Sequence, residues 1–89
     1  MYKSNEIMPW YIFNPIDTFP HDACDPNNYD LIGIIPPNCP SPNLHLCAIQ
    51  AYDNFGVPII TQALCAEIAT AVNNHTETVN VALRPTLYP

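Results

Sequence analysis

Apolar residues recur along this chain in short runs separated by turn-forming residues, and the spacing inside each run differs. The strongest periodicity lies at 59–74, "IITQALCAEIATAVNN". Ile60, Leu64, Ile68 and Val72 recur every four residues, with Cys65 beside Leu64 on the same side. That spacing predicts a helix over about 60–74 with one apolar stripe. Thr61 suits its N-cap, because a hydroxyl there can accept from a free backbone N–H. Pro58 precedes it, and Asn73–Asn74 suit its end. Gln62 and Glu67 are expected to face water.

The other runs have strand character. "YDLIGII" at 29–35 is stopped by Pro36–Pro37, and "LHLCAIQAY" at 44–52 has two largely apolar faces. In the latter, Leu46, Ala48 and Gln50 alternate with Cys47, Ile49 and Ala51. "DNFG" at 53–56 is a tight turn. In "ETVNVALRP", Val79, Val81 and Leu83 point one way and Asn80, Ala82 and Arg84 the other. A half-exposed antiparallel strand over about 77–84 follows. Near the start, "WYIF" has the aromatic and β-branched bias of a strand. Pro9 and Pro15 bracket it, which suits an edge strand or an extended arm.

Strand, strand, helix, strand gives an α+β fold: a small antiparallel or mixed sheet with one helix packed on it. Residues 1–22 form an extended, aromatic, Pro-rich arm in this reading, and 23–89 a single small domain. There is no internal repeat.

Size then demands a staple. A chain of 89 residues buries only about 60–65% of its unfolded surface, so its core is thin. Four cysteines, Cys24, Cys39, Cys47 and Cys65, can supply disulfides. They allow three pairings. Cys39 and Cys47 flank a short loop that prolines hold bent, and joining them leaves Cys24 and Cys65 to tie the amino-terminal loop to the helix. This nested arrangement is favoured. The chain-entropy relation gives roughly 2.5 kcal/mol for the short loop and roughly 4 kcal/mol for the long one.

Charge removes whole classes of partner. Lys3 and Arg84 stand against eight acidic residues, for a net charge of -6. Nucleic acid is therefore not expected, because phosphate contacts need Lys and Arg. An anionic membrane surface is disfavoured for the same reason. At 48% hydrophobic, the chain has enough apolar residues to collapse. No run reaches the roughly 18 apolar residues of a membrane span. Met1 followed directly by "YKSNEIMPWY" reads as a mature chain whose leader was removed and a starting methionine added.

"HDACDPNNYD", 21–30, invites a metal reading. His21 and Cys24 could form one zinc pair, but no second pair answers them at zinc spacing. Asp22, Asp25, Asn27 and Asp30, with Asp17 near, offer oxygens, yet the glycine and closing glutamate of a calcium loop are missing. A solvated acidic loop is the simpler expectation, and no cofactor is expected. Ser4 and Ser41 lack a nucleophile context. His45 shares a strand face with Cys47, but Cys47 is expected to be oxidised, so an enzyme is not expected. Asn74-His75-Thr76 fits the glycan acceptor pattern, relevant only in a eukaryotic secretory host. Many Asn and Thr residues with little Lys is a composition associated with exported proteins, and a bacterial source is expected.

The stretches "DPNNYDLIG", "PPNCPSPNLHLCAIQA", "GVPIITQAL" with "EI", and "NVALRP" together resemble a group of short, uncharacterised exported proteins of Bacteroidetes. Those carry a leader peptide, a "CPG…CAI" type cysteine pair and a closing "NVLLR"-like strand. The likeness spans roughly residues 25–86. It implies export to the periplasm or cell exterior, and a Cys39–Cys47 pair. This chain departs from it with Ser41-Pro42 in place of a small residue or glycine.

These readings converge on a secreted or envelope protein, disulfide-stapled and non-enzymatic, that binds a protein partner or a copy of itself by strand addition. Its expected contact residues are Trp10, Tyr11 and Phe13 of the arm, and Pro40, Pro42 and Leu44 of the proline loop 36–44. One alternative is an inhibitor or toxin-like effector presenting the rigid loop 38–47. Another is a metal-binding module at 21–30.

Overall fold

A computed structural model describes residues 8–15, 22–39 and 43–85. Its strands are β1 (Trp10–Phe13), β2 (Tyr29–Gly33), β3 (His45–Gln50), β4 (Asp53–Asn54), β5 (Val57–Pro58) and β6 (Val81–Arg84). One helix, α1 (Gln62–Asn74), lies between β5 and β6 in the chain. A four-stranded antiparallel sheet has the order β2-β1-β3-β6, and β4-β5 form a small hairpin. The fold is α+β, with α1 packed on β3 and β6.

The position of β1 corrects the expectation of an edge strand or arm. It pairs with β2 on one side and β3 on the other. Proline excludes a strand from a sheet interior by withholding an N–H. Pro9 and Pro15 lie just outside the paired residues, so every position from Trp10 to Phe13 keeps its donor. Residues 8–15 are therefore part of the domain, and they supply much of its core.

That core lies between the sheet and α1. Tyr11, Phe13, Tyr29, Leu46, Ile49, Val81 and Leu83 meet Leu64, Ile68 and Ala71. The Phe13 and Tyr29 rings tilt against each other with centroids 5.2 Å apart. Each fully buried aliphatic side chain contributes about 1.5–3 kcal/mol relative to exposure. On α1 the innermost third position is Ala71, while Val72 packs at its margin. At 100° per residue, Ala71 lies about 20° from the Leu64 direction and Val72 about 80°.

Strict alternation in β3 fails at Cys47. Leu46 pairs with Leu83 and Ala48 with Ala82, so Cys47 is the extra residue of a β-bulge. The bulge brings Leu46 and Ile49, three residues apart, to the same helix-facing side. Cys47 and Ala48 instead join Trp10 in a second cluster with Ile12, Cys39 and Ala82. A second irregularity lies in β2, where Trp10 pairs with Gly33 and Tyr11 with Leu31, leaving Ile32 as the extra residue.

Both disulfides follow the favoured arrangement, Cys24–Cys65 and Cys39–Cys47, with Cα separations of 5.4 and 6.2 Å. Thr61 caps α1, accepting from the Leu64 N–H at 3.1 Å. The helix ends at Asn74 as expected, and the left-handed cap falls one residue further on, at His75 with φ 53°. β6 is shorter than expected. Val79 falls in the turn before it and is 84% exposed instead of facing the core.

Candidate functional site

The free edge of the sheet at β2 is apolar. Leu31 is 46% exposed and Ile32 44%, and just past the strand Ile34 is 62% and Ile35 77% exposed. No charged residue occurs from Leu31 to Asn38. Natural edges are usually guarded by lysine or by covering segments. This one is limited by other means: the Ile32 bulge, Gly33 at φ 121° and Pro36–Pro37 confine pairing to a few residues. Asp30, the acid of β2, is held by Asn14, whose Nδ2 donates to its Oδ2 at 2.6 Å.

Beside this edge, β5 lies against β2 and against the short 3-10 turn Pro26–Asn28. The β4–β5 hairpin turns at Phe55 and Gly56, with φ of 54° and 88°. Two successive positive φ values define a type I′ turn, which favours Asn-Gly. Phenylalanine there is strained by roughly 1–2 kcal/mol. Phe55 is also 100% exposed, so no packing offsets the strain. Strain of this kind concentrates at binding positions. The hairpin base is fixed by the Tyr11 hydroxyl, which donates to Asp53 Oδ1, and by the Gly56 N–H, which donates to the same oxygen at 3.0 Å. Burial first, then the hydrogen bond and the Asp53 charge, raise the Tyr11 pKa well above the ordinary phenol value.

The expected contact residues separate. Trp10, Tyr11 and Phe13 are buried, at 9%, 0% and 5% exposure, which overturns the idea of an aromatic contact patch. Two clusters cover them: Tyr11 and Phe13 lie in the core beneath α1, and Trp10 lies in the second cluster with Cys47 and Ala48. Pro40 and Pro42 lie outside the described residues. Leu44 is 41% exposed within the loop closed by Cys39–Cys47, and its N–H donates to the Arg84 carbonyl at 3.0 Å.

The described part of loop 21–30, residues 22–30, is organised by its own hydrogen bonds. Asp22 Oδ1 accepts from the Cys24 N–H at 2.9 Å, and Asp25 caps the 3-10 turn by accepting from the Asn27 N–H at 3.0 Å. Buried Asn28 donates through Nδ2 to the Asp22 carbonyl at 2.9 Å. The Tyr29 hydroxyl donates to the Ala23 carbonyl at 2.6 Å. Burial, and then the neighbouring Asp22 charge, push the Tyr29 pKa far up. Cys24 is bonded to Cys65, so its sulfur is not a free thiolate ligand. Among the described residues, no three His, Cys, Asp or Glu side chains converge as metal ligands. His21 and Asp17 lie outside them.

Glu67 does not face open water as expected. Thr78 Oγ1 donates to its Oε2, the Asn80 N–H donates to Oε2 at 3.0 Å, and Asn80 Nδ2 donates to Oε1 at 3.1 Å. Burial pushes this carboxyl up, but the hydrogen bonds from Thr78 and Asn80 together outweigh it and hold it below its usual value. The carboxylate opens onto a cleft of about 180 Å³ between the end of β3 and the first half of α1. Sequence reasoning missed this site because its partners lie 11 and 13 residues away across a turn. The exposed edge was missed because a continuous apolar run reads as a strand, whether or not both its sides are covered.

No family model, no curated protein and no solved structure matches the chain. No helix among the described residues is long and apolar enough to cross a membrane. Two disulfides are compatible with an oxidising compartment.

Proposed function

We propose that this chain is a non-enzymatic, exported binding protein that docks by strand addition at the β2 edge, with a second copy as its occupant. The single observation that supports this is the exposed, charge-free strip Leu31, Ile32, Ile34 and Ile35 on an unpaired sheet edge. An antiparallel pairing of β2 with its own copy about a twofold is self-complementary, and sets Leu31 and Ile32 near their equivalents. It also covers apolar surface, and the one acid of β2, Asp30, is held by a hydrogen bond from Asn14. The Bacteroidetes likeness of the sequence and the disulfides support export. Sedimentation equilibrium tests the reading. The wild-type chain is expected to dimerise and Ile32→Lys to remain monomeric at the same concentration. A wild-type chain that stays monomeric at high concentration contradicts it.

A second reading is favoured by Leu44, exposed in the disulfide-closed loop 38–47. A covalently closed, proline-stiffened loop loses little entropy on docking, as an inhibitor requires. A protease panel showing neither inhibition nor cleavage in that loop rules it out.

A further inference from the structure

The cleft at Glu67 has a built shape. Gln50, Tyr52, Thr61, Glu67 and Asn80 give it polar edges, and Met8, Ile59, Ala63 and Leu64 line the rest. Its volume of about 180 Å³ lies well under the roughly 300 Å³ at which small-molecule and cofactor pockets begin. A single side chain fits that size better than a cofactor does.

The acceptor geometry narrows the choice. A carboxylate offers about four acceptor positions. Among the described residues, Oε2 of Glu67 already takes the Thr78 hydroxyl and the Asn80 N–H, and Oε1 takes only Asn80 Nδ2. One position on Oε1 is left. A guanidinium binds best through two parallel bonds to both oxygens, and Oε2 has no position for the second. An ammonium needs a single acceptor. The aliphatic wall of Ile59, Leu64 and Met8 suits the four-methylene stem beneath it. The net charge of -6, with only Lys3 and Arg84 basic, draws basic partners towards the surface.

We infer that this cleft seats a lysine side chain from a basic protein partner, with the ammonium on Glu67 Oε1. The cleft lies at the end of β3 and on α1, and none of its lining residues belongs to β2, so the inference does not rest on self-association.

The test is amide-shift mapping by NMR on the full chain, with three blocked pentapeptides: lysine, arginine or norleucine between pairs of glycines. Millimolar lysine peptide is expected to shift Gln50, Tyr52, Glu67 and Asn80, with the arginine peptide weaker and the norleucine peptide without effect. Glu67→Gln is expected to weaken lysine binding about fivefold, the size of a partly exposed ion pair. Ala63→Phe, at an exposed helix position, is expected to fill the cleft and abolish binding while leaving the fold intact. Absence of lysine-dependent shifts, equal binding by Glu67→Gln, or equal binding of arginine overturns the inference. Tighter peptide binding by Lys3→Ala also overturns it, since the chain's own lysine would then be the occupant.

Discussion

Asn80 holds Glu67 twice: its backbone N–H donates to Oε2 at 3.0 Å and its side-chain amide to Oε1 at 3.1 Å. The pair fastens α1 to the turn that launches β6. Charge-assisted bonds of this kind stabilise more than neutral ones, and partial exposure discounts them. Glu67→Gln is expected to lower stability by about 1 kcal/mol at neutral pH. The folded carboxyl titrates below its ordinary value of 4.5, so its contribution is full above that pH. It is lost as pH falls through the lower, folded value. Denaturant curves should therefore show a gap between wild type and variant at neutral pH that closes in acid.

Phe55 makes a prediction in the opposite direction. Asparagine tolerates the left-handed conformation that Phe55 holds at φ 54°, and nothing packs on the phenyl ring. Phe55→Asn is expected to stabilise the isolated chain by about 1 kcal/mol. A raised denaturation midpoint confirms this; a lowered one shows that the ring has a packing role.

Tyr11 and Tyr29 are held protonated, Tyr11 by burial and Asp53, and Tyr29 by burial and Asp22. A phenol whose folded value is raised contributes stability fully below the unfolded value of about 10, and loses it as pH rises. Absorbance at 295 nm should show these two of the five tyrosines ionising only together with alkaline unfolding. Tyr11→Phe and Tyr29→Phe should each remove one such residue from that step.

The α1 cap gives a smaller effect. Thr61→Ala leaves the Leu64 N–H without its acceptor at 3.1 Å and should cost about 1 kcal/mol. Thr61→Ser should restore it.

What the sequence reveals follows the range of each interaction. The helix was legible because Leu64 and Ile68 share a local period and Thr61 caps from three residues away. The nested disulfides were legible because Cys39 and Cys47 lie close along a proline-bent loop. The interior place of β1 was not, since Pro9 and Pro15 signal an edge only when they fall within the paired residues. The Cys47 bulge was hidden too. It depends on how Leu46 and Ile49 meet Leu83 and Val81, and alternation along one strand carries no trace of a partner's register. For the candidate surfaces, "LIGII" showed apolarity but not exposure. Glu67 looked solvated because Thr78 and Asn80 come to it through the fold.

Stability of the whole depends on Cys24–Cys65 and Cys39–Cys47, which close spans of 41 and 8 residues. Together they contribute roughly 6 kcal/mol by loop closure, comparable to the lower end of whole-domain stability. The most direct measurement is intact mass with thiol alkylation on the native protein, followed by melting with and without reductant. Two mapped bridges, no alkylated cysteine and loss of the cooperative transition on reduction are predicted. Four alkylated cysteines in a protein that still melts cooperatively would contradict the account.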